Sequence, residues 1–427
     1  MGLLETLKKA WASAEIRKKI IFTLLMLIVF RIGSNIPVPG INRTVLAQLF
    51  SGNYGLFDLF DLFSGGSFGN MTIFALGITP YITASIILQL LTIAIPSLER
   101  LAREGTEGRK KITQITRYLT IVLGLVQAVG VSVGMFRKAL ISTDVFSIIV
   151  IVLVLTAGTA FLMWLGEQIN EYGVGNGISL IIFGGIVARM PSAVRSTMNS
   201  YSQGTVSMMS IIIFLIFAVA VVVGIIEVQQ GERRIPVQYA KRVVGRKMYG
   251  GQSTHIPLKV NQAGVIPIIF ALSLLQFPLT ITYFTSATSD FSIWVNKWLS
   301  PTGNPGVWVY AAFNVLLIFF FTYFYTAITF NPMEVSENMK QNGGFIPGIR
   351  PGRATVEYLN KVMNRITFVG AIFLAVVSTL PTLVSQFTAL NVYFGGTSIL
   401  IAVGVALDTM KQLEQQMVMR NYKGFLK

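Results

Sequence analysis

The chain has 427 residues, of which 53% are hydrophobic and 12% are charged, whereas about a quarter of the residues in a soluble domain are charged. This composition excludes an ordinary soluble protein. Lys and Arg outnumber Asp and Glu by 34 to 18, which indicates an anionic partner such as lipid headgroups, nucleic acid or an acidic protein, and the lack of cysteine and the single histidine, His255, argue against disulfides and metal sites.

Apolar runs of about twenty residues, enough to cross a hydrocarbon core of about 30 Å, recur along the chain. They predict ten spanning helices and hence an all-α polytopic membrane protein. In chain order the predicted spans cover Ile20–Ile36, Met71–Ile95, Gln114–Met135, Phe146–Gly166, Gly177–Arg195, Ser207–Val228, Gln262–Phe284, Trp308–Phe330, Ile366–Gln386 and Tyr393–Gln412. The first apolar run continues into Arg31 and Pro37 without a small-residue cleavage pattern, so we expect a retained span rather than a signal peptide.

The distribution of basic residues predicts the orientation. An even number of spans puts both termini on one side of the membrane. That side also carries the loops 96–113, 167–176, 229–261 and 331–365, and with the two tails it holds about four-fifths of the 34 Lys and Arg residues. Because short loops rich in Lys and Arg stay in the cytoplasm, we expect both termini to be cytoplasmic.

An internal repeat relates the second span to the seventh and the fifth to the tenth. Residues 77–84 align with residues 264–271, and residues 177–182 align with residues 396–401. Each pair lies five spans apart, which predicts two five-helix halves inserted in opposite directions, with the working site between them. The predicted halves are residues 1–200 and 201–427. The alternative is chance recurrence of Gly, Pro and Ile in membrane helices.

Isoleucines recur at helical spacing in these matched spans. Those of the second and fifth spans stand four residues apart and share a helix face, and two more occupy the equivalent positions of the repeat partners. The set is Ile78, Ile82, Ile178, Ile182, Ile269 and Ile401. If the set converges on the repeat axis, it forms an apolar constriction that excludes water and ions. The alternative is ordinary helix packing.

A short apolar segment lies between the first and second spans. Its apolar residues are Leu56, Phe57, Leu59, Phe60 and Phe63, and it is too short to cross a bilayer. Asp58 and Asp61 make an anionic lipid surface unfavourable for it, and Gly65, Gly66 and Gly69 follow as hinges. The segment is therefore either a re-entrant plug in a cavity walled by protein or a lid on the outer surface.

The spans themselves are almost free of ionisable side chains. Apart from Arg31 near one end, we expect none in the middle of a span, although ion-coupled transporters usually need such groups. The neutral polar residues Gln127, Ser273, Gln276 and Asn314 remain. They suit an interface between helices that opens and closes, or a static contact.

Two predicted cytoplasmic loops are longer than simple connections require. Basic residues interleaved with aromatic or Gly/Pro-rich stretches can bind phosphate backbones, although a solvated loop that follows the positive-inside rule explains the charge alone. In the loops 229–261 and 331–365 these residues are Arg233, Arg234, Lys241, Arg242, Arg246, Lys247, Arg350 and Arg353. No phosphate-binding loop or paired carboxylates are apparent, so we expect no catalytic residue and no cofactor.

Several motifs closely resemble the SecY family, the pore subunits of the bacterial protein-conducting channel, and the resemblance covers essentially the whole chain. The motifs occupy residues 73–82, 172–179, 239–261, 348–352 and 394–398. The resemblance implies a clamshell of two five-helix halves around an hourglass pore, with the six isoleucines as the pore ring and residues 56–70 as the plug.

The resemblance also implies partners and an exit route. Signal sequences and membrane segments would leave for the lipid through a lateral gate between spans two and three and spans seven and eight. Its candidate residues are Thr92, Gln127, Ser273, Gln276 and Asn314. The two long loops would bind the ribosome and the SecA motor, with Lys247 the weakest contact because it lacks the bidentate fork of arginine. The small subunits SecE and SecG would accompany the chain.

Two functions are therefore open at this point. The first is a passive conduit in the bacterial cytoplasmic membrane that passes unfolded preproteins across it or sideways into the lipid, driven by a partner. The second is a solute transporter with inverted repeats. A transporter predicts a polar or charged binding site at the midplane, which the spans lack.

Overall fold

The computed structural model describes residues 11–42, 44–46, 61, 64–204, 207–239, 242–244, 247–249, 253–282, 285, 289–299, 305–387 and 396–424. Helices dominate these ranges. They are α1 (Ala14–Gly33), α2 (Thr79–Ala94), α3 (Pro96–Arg103), α4 (Thr106–Val129), α5 (Val145–Tyr172), α6 (Gly177–Ser202), α7 (Met208–Gln230), α8 (Ile266–Thr282), α9 (Asp290–Trp298), α10 (Gly306–Thr329), α11 (Pro332–Gln341), α12 (Arg353–Phe387) and α13 (Gly396–Gly424). A π-helical turn, Gly130–Met135, and a 3₁₀ turn, Arg137–Ala139, follow α4.

Five short strands lie in the two long loops. They are β1 (Glu232–Tyr239), β2 (Arg242–Val244), β3 (Lys247–Tyr249), β4 (Ser253–Lys259) and β5 (Gly344–Phe345). β1 is the central strand of an antiparallel sheet ordered β4-β1-β5, and β2 pairs with β3 in a separate hairpin. Because β5 belongs to the second loop, the sheet joins the two loops, with Gln238 opposite Phe345.

The helices before residue 205 pack on one another. α4 contacts α2 on one side and α5 on the other, while α1 packs against α5 and α6. A core cluster under α4 and α5 includes Phe68, Phe136 and Leu155, and the rings of Phe68 and Phe136 lie 5.5 Å apart. The chain between α1 and α2 is therefore fixed to this group of helices from Phe68 onward.

The later helices form a second group. α10 packs between α8 and α12, and α13 packs against α7 and α12. Only Ile225 of α7 is buried, so this helix keeps most of its apolar surface exposed. Two helix pairs make the extensive contacts between the groups among the described residues, α2 with α8 and α6 with α13. They are the same pairs that the sequence repeat aligns.

Six of these helices are long and apolar enough to cross a bilayer, or seven if α2 and α3, bent by 102° at Ile95, count as one broken span. α8 has 17 described residues and falls just short of this length. A helix nevertheless lies at each of the ten predicted spans, so the mostly helical, multi-pass architecture is confirmed.

Several predicted span boundaries are wrong, because the apolar stretches and the helices do not coincide. Hydropathy detects only the apolar part of a helix, whereas α12 begins at Arg353 and α13 continues to Gly424. The first turns of α12 bury Leu359 and Met363 against the sheet, and the later part of α13 buries Leu413 near α1. In the opposite direction, residues 71–78 are apolar but form turns, so α2 begins at Thr79 rather than Met71.

Candidate functional site

The six predicted isoleucines lie together where the two helix groups meet. Five of them are buried and Ile178 is partly buried, and all six belong to one apolar cluster. They come from α2, α6, α8 and α13, including Ile78, the residue just before α2. Aliphatic side chains offer no hydrogen bonds to water or ions, so such a cluster resists wetting.

The local sequence explains why these isoleucines converge. Gly77 and Gly264 both have positive φ, 57° and 63°, which only glycine adopts readily. Two residues later α2 and α8 begin, each with a proline as its second residue, Pro80 or Pro267. The other matched pair also starts in register, because α6 begins at Gly177 and α13 at Gly396.

A polar cavity of about 380 Å³ adjoins one end of this cluster. Most of the residues that line it are polar, and Val265, Ile266 and Val405 connect it to the isoleucine cluster. The polar lining comprises Asn176, Ser179, Gln229, Lys259, Asn261, Gln262, Tyr325, Asp408, Thr409, Lys411, Gln412 and Gln415. Lys259 ends β4, so the cavity opens near the sheet formed by the long loops.

The described part of the predicted plug, residues 61 and 64–70, lies further along α6. A Cβ placed on Gly65 would come within 2.6 Å of the Gly185 Cα, so the two backbones touch. An Arg31 guanidinium nitrogen lies 3.4 Å from the Gly65 carbonyl oxygen. Arg189 of α6 forms an ion pair of 2.8 Å with Asp61. Gly66, the residue after the backbone contact of Gly65 with Gly185, has a φ of 90°. The plug candidates Leu56, Phe57, Leu59, Phe60 and Phe63 lie outside the described residues.

Arg189 corrects the expectation that, apart from Arg31, no ionisable side chain lies in the middle of a span. α6 extends beyond the predicted end at Arg195 to Ser202, which places position 189 in the middle of the helix. The ion pair with Asp61 satisfies the charge there. An Arg inside an apolar stretch is a sequence signal for a functional position, but Arg189 was not among the predicted site residues.

The lateral-gate candidates are distributed along the contact of α2 with α8 and on neighbouring helices. Thr92, Gln127 and Ser273 are half-buried, and Gln276 and Asn314 are buried. The Asn314 amide donates a hydrogen bond of 2.8 Å to the Ser378 hydroxyl of α12, and the Thr92 hydroxyl donates to the Gln89 carbonyl of its own helix. Both bonds therefore lie within one helix group rather than across the contact between them.

The basic candidates of the two loops flank one joint sheet. Arg233 and Arg234 are exposed on β1. Arg350 is exposed between β5 and α12, and Arg353 is the exposed first residue of α12. Arg234 and Arg353 pair with Glu232 and Glu357, respectively. Lys241 and Arg246 lie outside the described residues, and Arg242 and Lys247 lie in the hairpin of β2 and β3.

A buried core ties the loops together, and the sequence reasoning missed it. Ile235, Val237 and Leu258 of the first loop pack with Ile346 and Met339 of the second. The alternation of buried Ile235 and Val237 with exposed Pro236 is a strand pattern that the sequence already contains. Within the described ranges no group of three His, Cys, Asp or Glu residues could hold a metal ion.

Comparisons with a family profile and with individual relatives point to the same family. The sequence profile of the SecY family matches residues 72–410. The chain is 52% identical over 436 residues to the protein translocase subunit SecY of Halalkalibacterium halodurans, with full coverage of both chains. It is 47% identical to the protein translocase subunit SecY of Thermotoga maritima, covering 99% of this chain and 98% of the relative.

Solved structures show the same fold. A protein-conducting channel matches with a TM-score of 0.67 at 21% identity, covering 94% of this chain and 93% of the other. Sec61 in the canine ribosome-channel complex from the endoplasmic reticulum matches with a TM-score of 0.62 at 19% identity, covering 94% and 93%.

Proposed function

Because the chain belongs to the SecY family, we propose that it forms the central protein-conducting channel of a protein translocase. It passes unfolded preproteins across a bacterial cytoplasmic membrane and releases apolar segments sideways into the lipid. The solute-transporter alternative has no support among the relatives, which are translocase subunits.

The order of features along α6 carries this proposal. Ser179 lines the polar cavity, Ile182 lies in the isoleucine cluster, and Gly185 touches the plug segment. At a rise of about 1.5 Å per residue, the three positions span about 9 Å along the helix axis. A polar entrance, an apolar constriction and a blocking segment in this order are what a sealable polypeptide pore requires.

We assign the pore ring to Ile78, Ile82, Ile178, Ile182, Ile269 and Ile401, and the plug to residues 56–70. The ring closes around a passing chain without binding it, because aliphatic side chains make no directional bonds. The described part of the plug, residues 61 and 64–70, lies at the opposite end of the ring from the polar cavity.

We further propose a clamshell of ten spans with halves 1–200 and 201–427. Support comes from the helix starts, which match between the halves, and from the pairing of α2 with α8 and α6 with α13. In this arrangement the contact of α2 with α8 is the seam that opens toward lipid. Of the five candidates, Gln127, Ser273 and Gln276 would tune its strength, whereas Thr92 and Asn314 would hold the helices beside it.

The joint sheet is the proposed docking surface for cytoplasmic partners. Its exposed arginines suit the phosphates of ribosomal RNA and acidic side chains of a SecA-type motor, which supplies the energy for transport. The small subunits SecE and SecG complete the complex, and both termini face the cytoplasm as the basic loops indicate.

Reconstitution tests the proposal directly. The chain is placed in proteoliposomes with SecE- and SecG-type subunits, SecA, ATP and a preprotein, and protease-protected preprotein is measured. The matched control replaces the signal sequence of the preprotein with a polar segment. Protection that depends on the chain, the motor and the signal is expected, and no protection with all components present would overturn the proposal.

A further inference from the structure

Resting on the proposed channel function, we propose that the ion pair of Asp61 with Arg189 is a latch that holds the plug on α6 in the resting channel. Arg189 is a positioning residue in this proposal. It acts through the plug and sets how readily the channel opens to a signal.

Asp61 makes contacts in three directions. One carboxylate oxygen, Oδ2, lies 2.8 Å from Nη2 of Arg189. The other, Oδ1, accepts hydrogen bonds from the Gly69 backbone N–H at 2.9 Å and from the Ser64 hydroxyl at 3.3 Å. A single carboxylate thus joins residues on both sides of Gly65 and Gly66 in the plug segment, and it ties them to α6.

The ion pair is shielded from water. The side chains of Arg189 and Asp61 are 23% and 10% exposed, respectively. Charges at such a site are screened less than surface charges, and the removal of one partner leaves the other charge poorly solvated. Removing either partner should therefore disturb this contact more than removing one partner of an exposed ion pair would.

The backbone next to the latch contains two glycines in the left-handed region, where side chains are disfavoured. Gly65 and Gly66 have φ values of 66° and 90°, and they lie between Asp61 and the buried ring of Phe68. Phe68 and Met71 pack in the core under α4 and α5, so the chain after the hinge stays fixed. Separation of Asp61 from Arg189 would also break the bonds of Asp61 to Ser64 and Gly69, while Phe68 could keep its packing.

The position of Arg189 connects the latch to the pore. It lies on α6 after Ile182 and Ile186, both of which belong to the apolar cluster that contains the six predicted isoleucines. Arg189 would therefore hold the plug beside the constriction, on the side away from the polar cavity. A polypeptide that enters the constriction would have to displace the segment that Arg189 holds.

The first test measures closure of the reconstituted complex without preprotein. Arg189→Gln and Asp61→Asn each remove one charge, and Arg195→Gln is the control because Arg195 is an exposed residue of the same helix. We expect the two latch variants to raise basal ion flux about tenfold, which corresponds to about 1.4 kcal/mol. The double variant should not add the two effects, because each single variant already breaks the pair.

The second test follows the plug itself. The chain has no cysteine, so Ser64→Cys supplies one labelling site next to the latch, where Ser64 is buried. Labelling by a membrane-impermeant maleimide is compared for this variant alone, with Arg189→Gln and with Arg195→Gln. Faster labelling with Arg189→Gln only is expected.

The outcomes separate the latch from the channel function. If the parent complex transports preprotein, and Arg189→Gln matches Arg195→Gln in both ion flux and labelling, the latch is refuted while the channel function stands. If the parent complex transports nothing, the channel function itself fails. A folded Arg189→Gln complex that leaks and still transports, including preproteins with weakened signals, supports the latch.

Discussion

Gly77 and Gly264 share one backbone conformation in two different parts of the chain. Their φ values are 57° and 63°, and each stands two residues before a helix whose second residue is proline. The similarity extends to the packing, because the two helices that follow, α2 and α8, contact each other. A repeated local structure thus places Ile82 and Ile269 on either side of the same contact.

The first prediction concerns this backbone conformation. Gly264→Ala should lower the free energy of unfolding by about 1–2 kcal/mol, because a Cβ disfavours positive φ. Nothing lies within 4 Å of the added methyl group, so the conformation alone is tested. Thermal unfolding of the purified protein in detergent measures the effect.

The control for this prediction is Gly224→Ala. Gly224 lies within α7 and also has nothing within 4 Å of an added Cβ, but its φ is not positive. Alanine favours a helix over glycine by up to about 1 kcal/mol, so the melting temperature should stay level or rise. Equal losses for both variants would contradict the role given to the φ angle of Gly264.

The second prediction concerns the pore ring. Ile82→Asn combined with Ile269→Asn should increase basal ion flux through the reconstituted channel and relax its discrimination between signals. Both side chains are buried, and amides there would attract water into the constriction. Conductance without preprotein is the measurement. The matched control, Ile82→Leu with Ile269→Leu, keeps volume and apolarity and should stay tight. A polar pair with normal tightness would exclude these residues from the seal.

Much of the architecture could be predicted from the sequence, and the predictions that failed did so for identifiable reasons. Hydropathy located a helix at every predicted span, and the Gly and Pro matches predicted which helices are equivalent, although not that the equivalent helices contact each other. Hydropathy did not predict that α12 starts at Arg353, because the first turns of that helix pack on a sheet rather than on lipid. Hydropathy also did not predict the sheet, because a strand of two residues such as β5 is too short to show an alternating pattern.

The candidate site was predicted unevenly for a related reason. Periodicity gave the isoleucine set, because positions four apart on helices share a face. The partner of a buried polar side chain depends on tertiary packing, which one sequence does not reveal. Asn314 and Asp61 were therefore singled out from the sequence, whereas their partners Ser378 and Arg189 were not.

The third prediction concerns the hydrogen bond of Asn314 with Ser378. Ser378→Ala should lower the free energy of unfolding by about 1–3 kcal/mol, because it leaves the buried Asn314 amide without its acceptor. Thr379→Ala is the control, since the Thr379 hydroxyl bonds to the Ala375 carbonyl of its own helix. Thermal unfolding in detergent measures both variants.

A double variant sharpens this test. Asn314→Leu combined with Ser378→Ala removes both polar groups from the interface of α10 and α12, and it should be more stable than Ser378→Ala alone. The asymmetry arises because an unpaired buried amide costs more than an apolar pair. Additive losses in the double variant would show that the hydrogen bond is not the source of the effect.

The last prediction concerns the joint sheet as a docking surface. Arg350→Glu should weaken binding of the SecA-type motor, and slow motor-driven transport, by an amount that corresponds to about 1 kcal/mol for an exposed charge contact. The control, Lys297→Glu, makes the same charge change at an exposed residue of α9, on the face predicted to lie outside the cell. Binding should fall for Arg350→Glu only, and the difference should shrink in 1 M salt, where the Debye length is about 3 Å. Equal losses for the two variants would mean that net charge, rather than the position of Arg350, governs the interaction.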